Sequence, residues 1–225
     1  LTLALFSNAL SAIERPFEIE RLGNFDSPWA LEFLPDGRVL VSEMSGNLKL
    51  LDEDGRLLGN VSGVPEVAYG GQGGLGEIAL HPSFERNKMV YISFAETGED
   101  NTCGAAIIRA KLNLSEDGGS LSSVETIWKQ YPKVPGQGHF GHRITFDEAG
   151  YLWISSGERQ KFDPAQDMSS NLGKIIRLND DGSIPVDNPF FFAEGITREL
   201  WSLGHRNPLG VAFDTAGRLW TVEMG

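Results

Sequence analysis

FDEAGYLWISSGER, residues 146–159, sets an aromatic, three residues of turn chemistry and a glycine ahead of an alternating apolar run. The same order recurs as FLPDGRVLVSEMSG from Phe33 and as FDTAGRLWTVEMG from Phe213. In each copy the glycine (Gly37, Gly150, Gly217) stands where a tight hairpin needs positive φ. A looser copy with a longer turn, IALHPSFERNKMVYISFAETG, begins near Ile78, and further short strand signals such as GNLKLLDEDGRLLG and GKIIRLNDDGS lie between copies. Short alternating strands broken by Gly/Asp turns imply an all-β protein. Self-similarity at a period of roughly 50 residues or more implies a β-propeller of four-stranded blades. A helical solenoid is disfavoured because no stretch holds a helical apolar period over three turns. A β-sandwich would leave the repeated F-x-x-x-G strand unexplained.

Four blade starts are visible, and the last ends at Gly225, directly after its strand. Propellers close by pairing their terminal strands, which removes sheet edges. With Leu1 in place of an initiator Met, the expectation is a piece of a longer propeller. LTLALFSNALSA, residues 1–12, reads as the remnant of an export signal, with Ala9 and Ser11 at cleavage spacing, so a periplasmic or secreted setting is expected. An ordinary buried first strand is the competing reading. Residues 13–225 form the partial propeller domain. No later segment approaches 18 uninterrupted apolar residues, so no membrane span is expected.

At 225 residues with about 40% apolar content, the chain can bury a sizeable core. A formal charge of −12 argues against sequence-independent nucleic-acid binding, which needs clustered Lys and Arg. The single cysteine, Cys103, cannot form an internal disulfide and reads as a small loop or strand residue.

Polar clusters precede three of the repeated strands. YGGQGGLGEIALHP (69–82) offers Gln72 among glycines, GQGHFGHRITF (136–146) offers His139 and His142 with Glu158 beyond the next strand, and SLGHRNPLG (202–210) offers Arg206 and Asn207. Equivalent places in successive blades converge on one mouth of the central channel. A neutral histidine beside a carboxylate is a sound general base. An Arg–Asn pair can stabilise an oxyanion or hold an anionic cofactor.

Taken together, GQGGLGEIALHPSF, HFGHRITFDEAGYLWISSGER, AQDMSSNLGKIIRLNDDGSIPVDNPF and WSLGHRNPLGVAFD...VEMG resemble the soluble pyrroloquinoline-quinone-dependent sugar dehydrogenases of the glucose/sorbosone dehydrogenase family, from about residue 20 to 225. The resemblance implies a six-bladed propeller, about four blades of it here, with the quinone over the channel mouth and a calcium ion polarising it. Hydride passes from the anomeric carbon of an aldose to the quinone, giving a lactone, and an external acceptor takes the electrons. It implies His139 as catalytic base, Glu158 as the carboxylate that orients it, and Arg206 as a further catalytic group. It implies Gln72, His139, Arg206 and Asn207 at the cofactor, and Gly225 as a backbone calcium ligand. His142 falls where the family often has a small residue and is expected to line the channel without acting. The family's further cofactor contacts lie in later blades, so the 225-residue chain is expected to bind cofactor weakly or not at all and to be inactive alone.

Other readings are set aside. RLNDDGSIPVDN would put Arg177 and Asn188 at calcium-loop positions that need acidic oxygens, and reads as a hairpin turn. GGQGGLG is not read as a dinucleotide fingerprint, which is expected to need both the G-x-G-x-x-G spacing and a following helix, each read as lacking. Asn60 and Asn113 head formal glycosylation sequons, and His81 reads as a turn residue. Trp153 and Trp220, at equivalent strand positions, are expected to pack between blades, and Trp29, Trp128 and Trp201 to do likewise. Two other functions compete: a non-catalytic propeller binding module, and a metal-dependent lactonase needing converging carboxylate and Asn ligands.

Overall fold

The computed structural model describes residues 17–224. The expected export signal at 1–12 and the calcium ligand at Gly225 lie outside the described residues. What is described is almost entirely β, in antiparallel meanders. The first blade runs β1 (Pro28–Phe33), β2 (Val39–Glu43), β3 (Asn47–Leu51) and β4 (Leu57–Ser62). The second runs β5 (Leu75–Leu80), β6 (Met89–Thr97), β7 (Thr102–Ser115) and β8 (Gly118–Lys129), with the two-residue β9 (Val134–Pro135) pairing onto β7. The third comprises β10 (Gly141–Phe146), β11 (Leu152–Ser156), β12 (Lys174–Leu178) and β13 (Leu200–Leu203). The fourth contributes β14 (Pro208–Phe213) and β15 (Leu219–Glu223).

The F-x-x-x-G turns fold alike. Leu34 N–H bonds Arg38 O at 2.8 Å, Asp147 N–H bonds Tyr151 O at 3.2 Å, and Asp214 N–H bonds Arg218 O at 3.0 Å. The Asp carboxylates make the third and fourth blades near copies: Asp147 accepts from Trp153 Nε1 at 2.8 Å, and Asp214 from Trp220 Nε1 at 2.9 Å. One pairing was not foreseen. The outer strands of the first two blades join in parallel, Val61 opposite Gly119, so that these blades share one sheet.

The first strand of each blade lies innermost, β5 against β1 and β10, and β10 against β14. Two apolar layers separate the first three blades. One gathers Leu40, Leu50, Ile78, Ile92 and Ile108. The other gathers Tyr91, Ile107, Trp128, Ile154 and Ile176. Glu32, Glu77, Arg143 and Val211, one from each inner strand, face a central cavity of about 230 Å³. There Arg143 Nε pairs with Glu77 at 2.6 Å.

Each inner strand also carries a register shift near its start, at Pro28/Ala30, Leu75/Ile78, Gly141/Ile144 and Pro208/Gly210. Bulges of this kind re-aim side chains and gather at the rims of barrels and next to active sites. Here they mark the mouth opposite the F-x-x-x-G turns, and the polar clusters sit at that mouth.

The tryptophans divide. Trp153 is buried and meets Phe213 of the next blade edge-on at 5.3 Å between centroids, while Trp128 donates to Glu199 at 3.0 Å across a blade boundary. Trp29 stacks on His142, a residue of another blade. Trp201 packs on Trp153 and lines the cleft that faces Phe213 and Leu219 of the fourth blade, and Trp220 holds in that blade the place Trp153 holds in the third. His81 does fix its turn, its Nδ1 accepting Ser83 N–H at 2.8 Å. Cys103 opens β7 as a buried free thiol. Residues 179–183 close as a hairpin turn, Gly182 N–H to Asn179 O at 3.0 Å. Gly71, Gly73 and Gly76 do stand at G-x-G-x-x-G spacing, yet strand β5 follows rather than a helix. No helix among the described residues is long and apolar enough to cross a membrane.

Candidate functional site

The site assembles where three inner strands begin. His139, 3% exposed, enters β10 in the left-handed region (φ 51°), and Glu158, 1% exposed, lies just past the end of β11. Gly157 makes their meeting possible. A Cβ there would stand 2.0 Å from His139 O, so any side chain would force the two segments apart. Gly157 N–H then bonds Phe140 O at 3.0 Å, and His139 Nδ1 meets Glu158 Oε1 in a short hydrogen bond.

The partners of Glu158 decide the histidine's tautomer. Burial pushes the Glu158 carboxyl up, but the N–H of Phe162, then His139, Lys161 and Gln160, outweigh that and hold it below the usual range. An ionised carboxylate only accepts, so the proton of the pair sits on His139 Nδ1. In the neutral ring that tautomer puts the lone pair on Nε2, and no hydrogen bond joins Nε2 to protein among the described residues.

The other expected residues are wired into this pair through the backbone. Gln72 Oε1 accepts the N–H of His139 at 2.7 Å, and Gln72 N–H bonds Gln137 O at 2.7 Å. Gln72 therefore fixes the loop that carries His139. Arg206 O accepts Glu158 N–H at 2.8 Å, and Arg206 Nη1 donates to Met224 O at 2.9 Å. Asn207 is fully buried, its Oδ1 accepting Gly141 N–H at 3.1 Å, and its Nδ2 is buried with no partner among the described residues. Gln72, His139, Glu158, Arg206 and Asn207 thus share one hydrogen-bonded web.

Sequence reasoning missed what holds the far side of that web. His205 Nδ1 pairs with Glu223 Oε1 at 2.6 Å, His205 Nε2 with Ser202 Oγ at 2.6 Å, and Glu223 Oε2 accepts Arg206 N–H at 2.8 Å. Met224 N–H closes onto Asn207 O at 3.2 Å. The segment that leads into residue 225 is therefore tied directly to Arg206 and Asn207. The signal that could have found it is the carboxylate two residues before Gly225.

His142 differs from expectation. It is 1% exposed and enclosed, stacked on Trp29 at 5.5 Å, edge-on to Phe140 at 6.0 Å, and bonded through Nδ1 to Ser93 Oγ at 2.9 Å. It is a packed ring between blades, because the bulge in β10 turns it away from the cavity that Arg143 reaches.

The residues fit an anionic quinone in one respect that the structure itself displays: a buried amide donor, Asn207 Nδ2, has nothing to donate to, and a guanidinium lies next to it in sequence. Among the described residues, no three His, Cys, Asp or Glu side chains converge as a metal cluster.

Comparison with known proteins agrees with this geometry. Residues 25–225 match the family model for glucose / sorbosone dehydrogenase. The aldose sugar dehydrogenase YliI of Escherichia coli is 38% identical over 226 residues, which cover 99% of this chain and 60% of that protein. The crystal structure of the soluble aldose sugar dehydrogenase from Escherichia coli, in its apo-form, superposes with a TM-score of 0.84 at 39% identity, over 89% of this chain and 58% of that one. The PQQ-bound form of the aldose sugar dehydrogenase from Streptomyces coelicolor superposes with a TM-score of 0.74 at 33% identity, over 90% and 57%. The chain spans about three-fifths of the length of these proteins. On the repeated blades, the web at the channel mouth and these matches, the chain belongs to the glucose / sorbosone dehydrogenase family.

Proposed function

We propose that this chain supplies the proton-handling side of a pyrroloquinoline-quinone-dependent dehydrogenase that oxidises the anomeric hydroxyl of aldoses to lactones outside the cytoplasm. The observation that carries the reading is the buried His139–Glu158 pair, with Nε2 of the imidazole left free at the mouth of the propeller. A base so placed takes the hydroxyl proton, and a positioned base of this kind is worth about 10²- to 10⁴-fold in rate. Glu158 holds the Nδ1–H tautomer and stabilises the imidazolium once Nε2 is protonated. Gln72 fixes the base by its backbone N–H. Asn207 Nδ2 and Arg206 are the donors that would meet the quinone's oxygens, and the Gly225 carbonyl would contribute to a calcium ion there. When bound, the quinone supplies the two-electron acceptor for the hydride that leaves the anomeric carbon.

The test is reconstitution of the full-length protein with pyrroloquinoline quinone and calcium, followed by dye-linked oxidation of a panel of aldoses. Turnover that requires both additions supports the reading. Stoichiometric quinone binding without oxidation of any aldose would overturn it.

A further inference from the structure

Among the described residues Arg159 is the largest fully buried side chain, 1% exposed, and no carboxylate lies within ion-pair distance of its guanidinium. Burying a guanidinium without a counter-charge is costly, so its position calls for a physical reason. Its hydrogen bonds supply one. Nε donates to Gly138 O at 2.8 Å, Nη2 makes a short bond to Gly136 O, and Nη1 donates to Cys103 O at 2.5 Å. Nη2 also meets Cys103 Sγ at 3.4 Å. The guanidinium carbon lies 3.7 Å from the centroid of the Phe140 ring, and the backbone N–H of Arg159 bonds His139 O at 3.2 Å.

Residues 136, 138, 139 and 140 are thus all gripped by one residue, and that residue directly follows Glu158. The grip is needed because the loop is strained. His139 (φ 51°), Arg159 (φ 59°) and Gln160 (φ 60°) all occupy the left-handed region without being glycine. Such conformations are costly for residues other than glycine and persist only where the surroundings over-determine them. A lysine reaches as a single point of charge, whereas the planar fork addresses several carbonyls in fixed directions.

We propose that Arg159 is a positioning residue for His139: its buried guanidinium holds the 136–140 loop so that the imidazole stays on Glu158 with Nε2 facing the substrate. The inference rests on the reading of His139 as the base. It predicts that loss of the guanidinium slows the proton-transfer step and leaves sugar binding alone.

The test uses the full-length holoenzyme with Arg159→Met, Arg159→Lys, His139→Gln and the double variant R159M/H139Q. Expected are a fall in kcat of about 10- to 100-fold for R159M with KM for aldose changed less than about threefold, and partial recovery in R159K. In the H139Q background, R159M should add less than about twofold, since both act through one group. Histidine-selective NMR gives a readout independent of turnover: the His139 ring resonance should move in R159M while that of His142 stays.

Unchanged kcat in folded R159M, multiplicative effects of R159M and H139Q, or an unmoved His139 resonance would each overturn the proposal. If H139Q itself turns over normally, the base assignment fails, and the NMR arm still decides whether Arg159 positions the ring. If R159M does not fold, R159K carries both measurements: wild-type kcat with an unmoved ring signal counts against the proposal.

Discussion

His139 and His142 stand three residues apart, both buried, both at φ 51°, and their surroundings could hardly differ more. His139 meets an ionised carboxylate and keeps a free nitrogen, whereas His142 meets a serine hydroxyl and is closed in by Trp29 and Phe140. Burial, with Arg143 and Arg159 adding to it, lowers the His142 pKa to about 3, so that ring stays neutral at any physiological pH. Ser93 Oγ accepts the N–H of Glu77 at 2.7 Å and shares a second hydrogen bond with His142 Nδ1, while His142 Nε2 is buried with no partner among the described residues. Residue type and burial therefore do not separate the proposed base from a packing ring. The partner on Nδ1 and the surroundings of Nε2 do.

The largest effect that could break this contrast lies with the two partners. In the full-length enzyme, Glu158→Gln should lower kcat about 10²-fold, because the amide no longer enforces the Nδ1–H tautomer or stabilises the imidazolium. Ser93→Ala should leave kcat within about twofold, and steady-state kinetics on both variants checks the pair. Stability should respond in the opposite sense. His142→Ala removes an enclosed ring and should cost about 3 kcal/mol in denaturant unfolding.

The smaller effect is the pH dependence of that stability. Unfolded chains protonate this histidine below about pH 6.5 while the native state keeps it neutral, so the native protein loses stability as pH falls from there toward 3. The loss reaches on the order of 3 kcal/mol by about pH 4.5. His142→Gln should lack that loss, so the stability gap between wild type and variant should shift by that amount between neutral and acid pH. A gap independent of pH would mean that the ring is protonated within the fold.

How much of this could be read in advance follows from where the information lies. The blades were legible because Phe33, Phe146 and Phe213 stand at a fixed distance before Gly37, Gly150 and Gly217, and turn chemistry is local. His139, Arg206 and Asn207 could be grouped in advance because each precedes an inner strand at the same end, and Glu158 because it follows the strand paired with β10. Gln72 was recognised, but its work on the His139 backbone was not, since a backbone N–H leaves no mark in a residue pattern. Arg159 escaped for the same reason, its acceptors being carbonyls of Cys103, Gly136 and Gly138. The enclosure of His142 depends on a bulge in β10, and the parallel pairing of β4 with β8 on how two blades meet. Neither is encoded by periodicity alone.

The most direct measurement of the central claim is the single-turnover rate at which an aldose reduces the bound quinone in full-length His139→Gln, set beside His142→Gln. The account predicts a loss of about 10²- to 10⁴-fold in the first, with cofactor still bound stoichiometrically, and a rate within about threefold of wild type in the second. Equal rates in the two variants would contradict it.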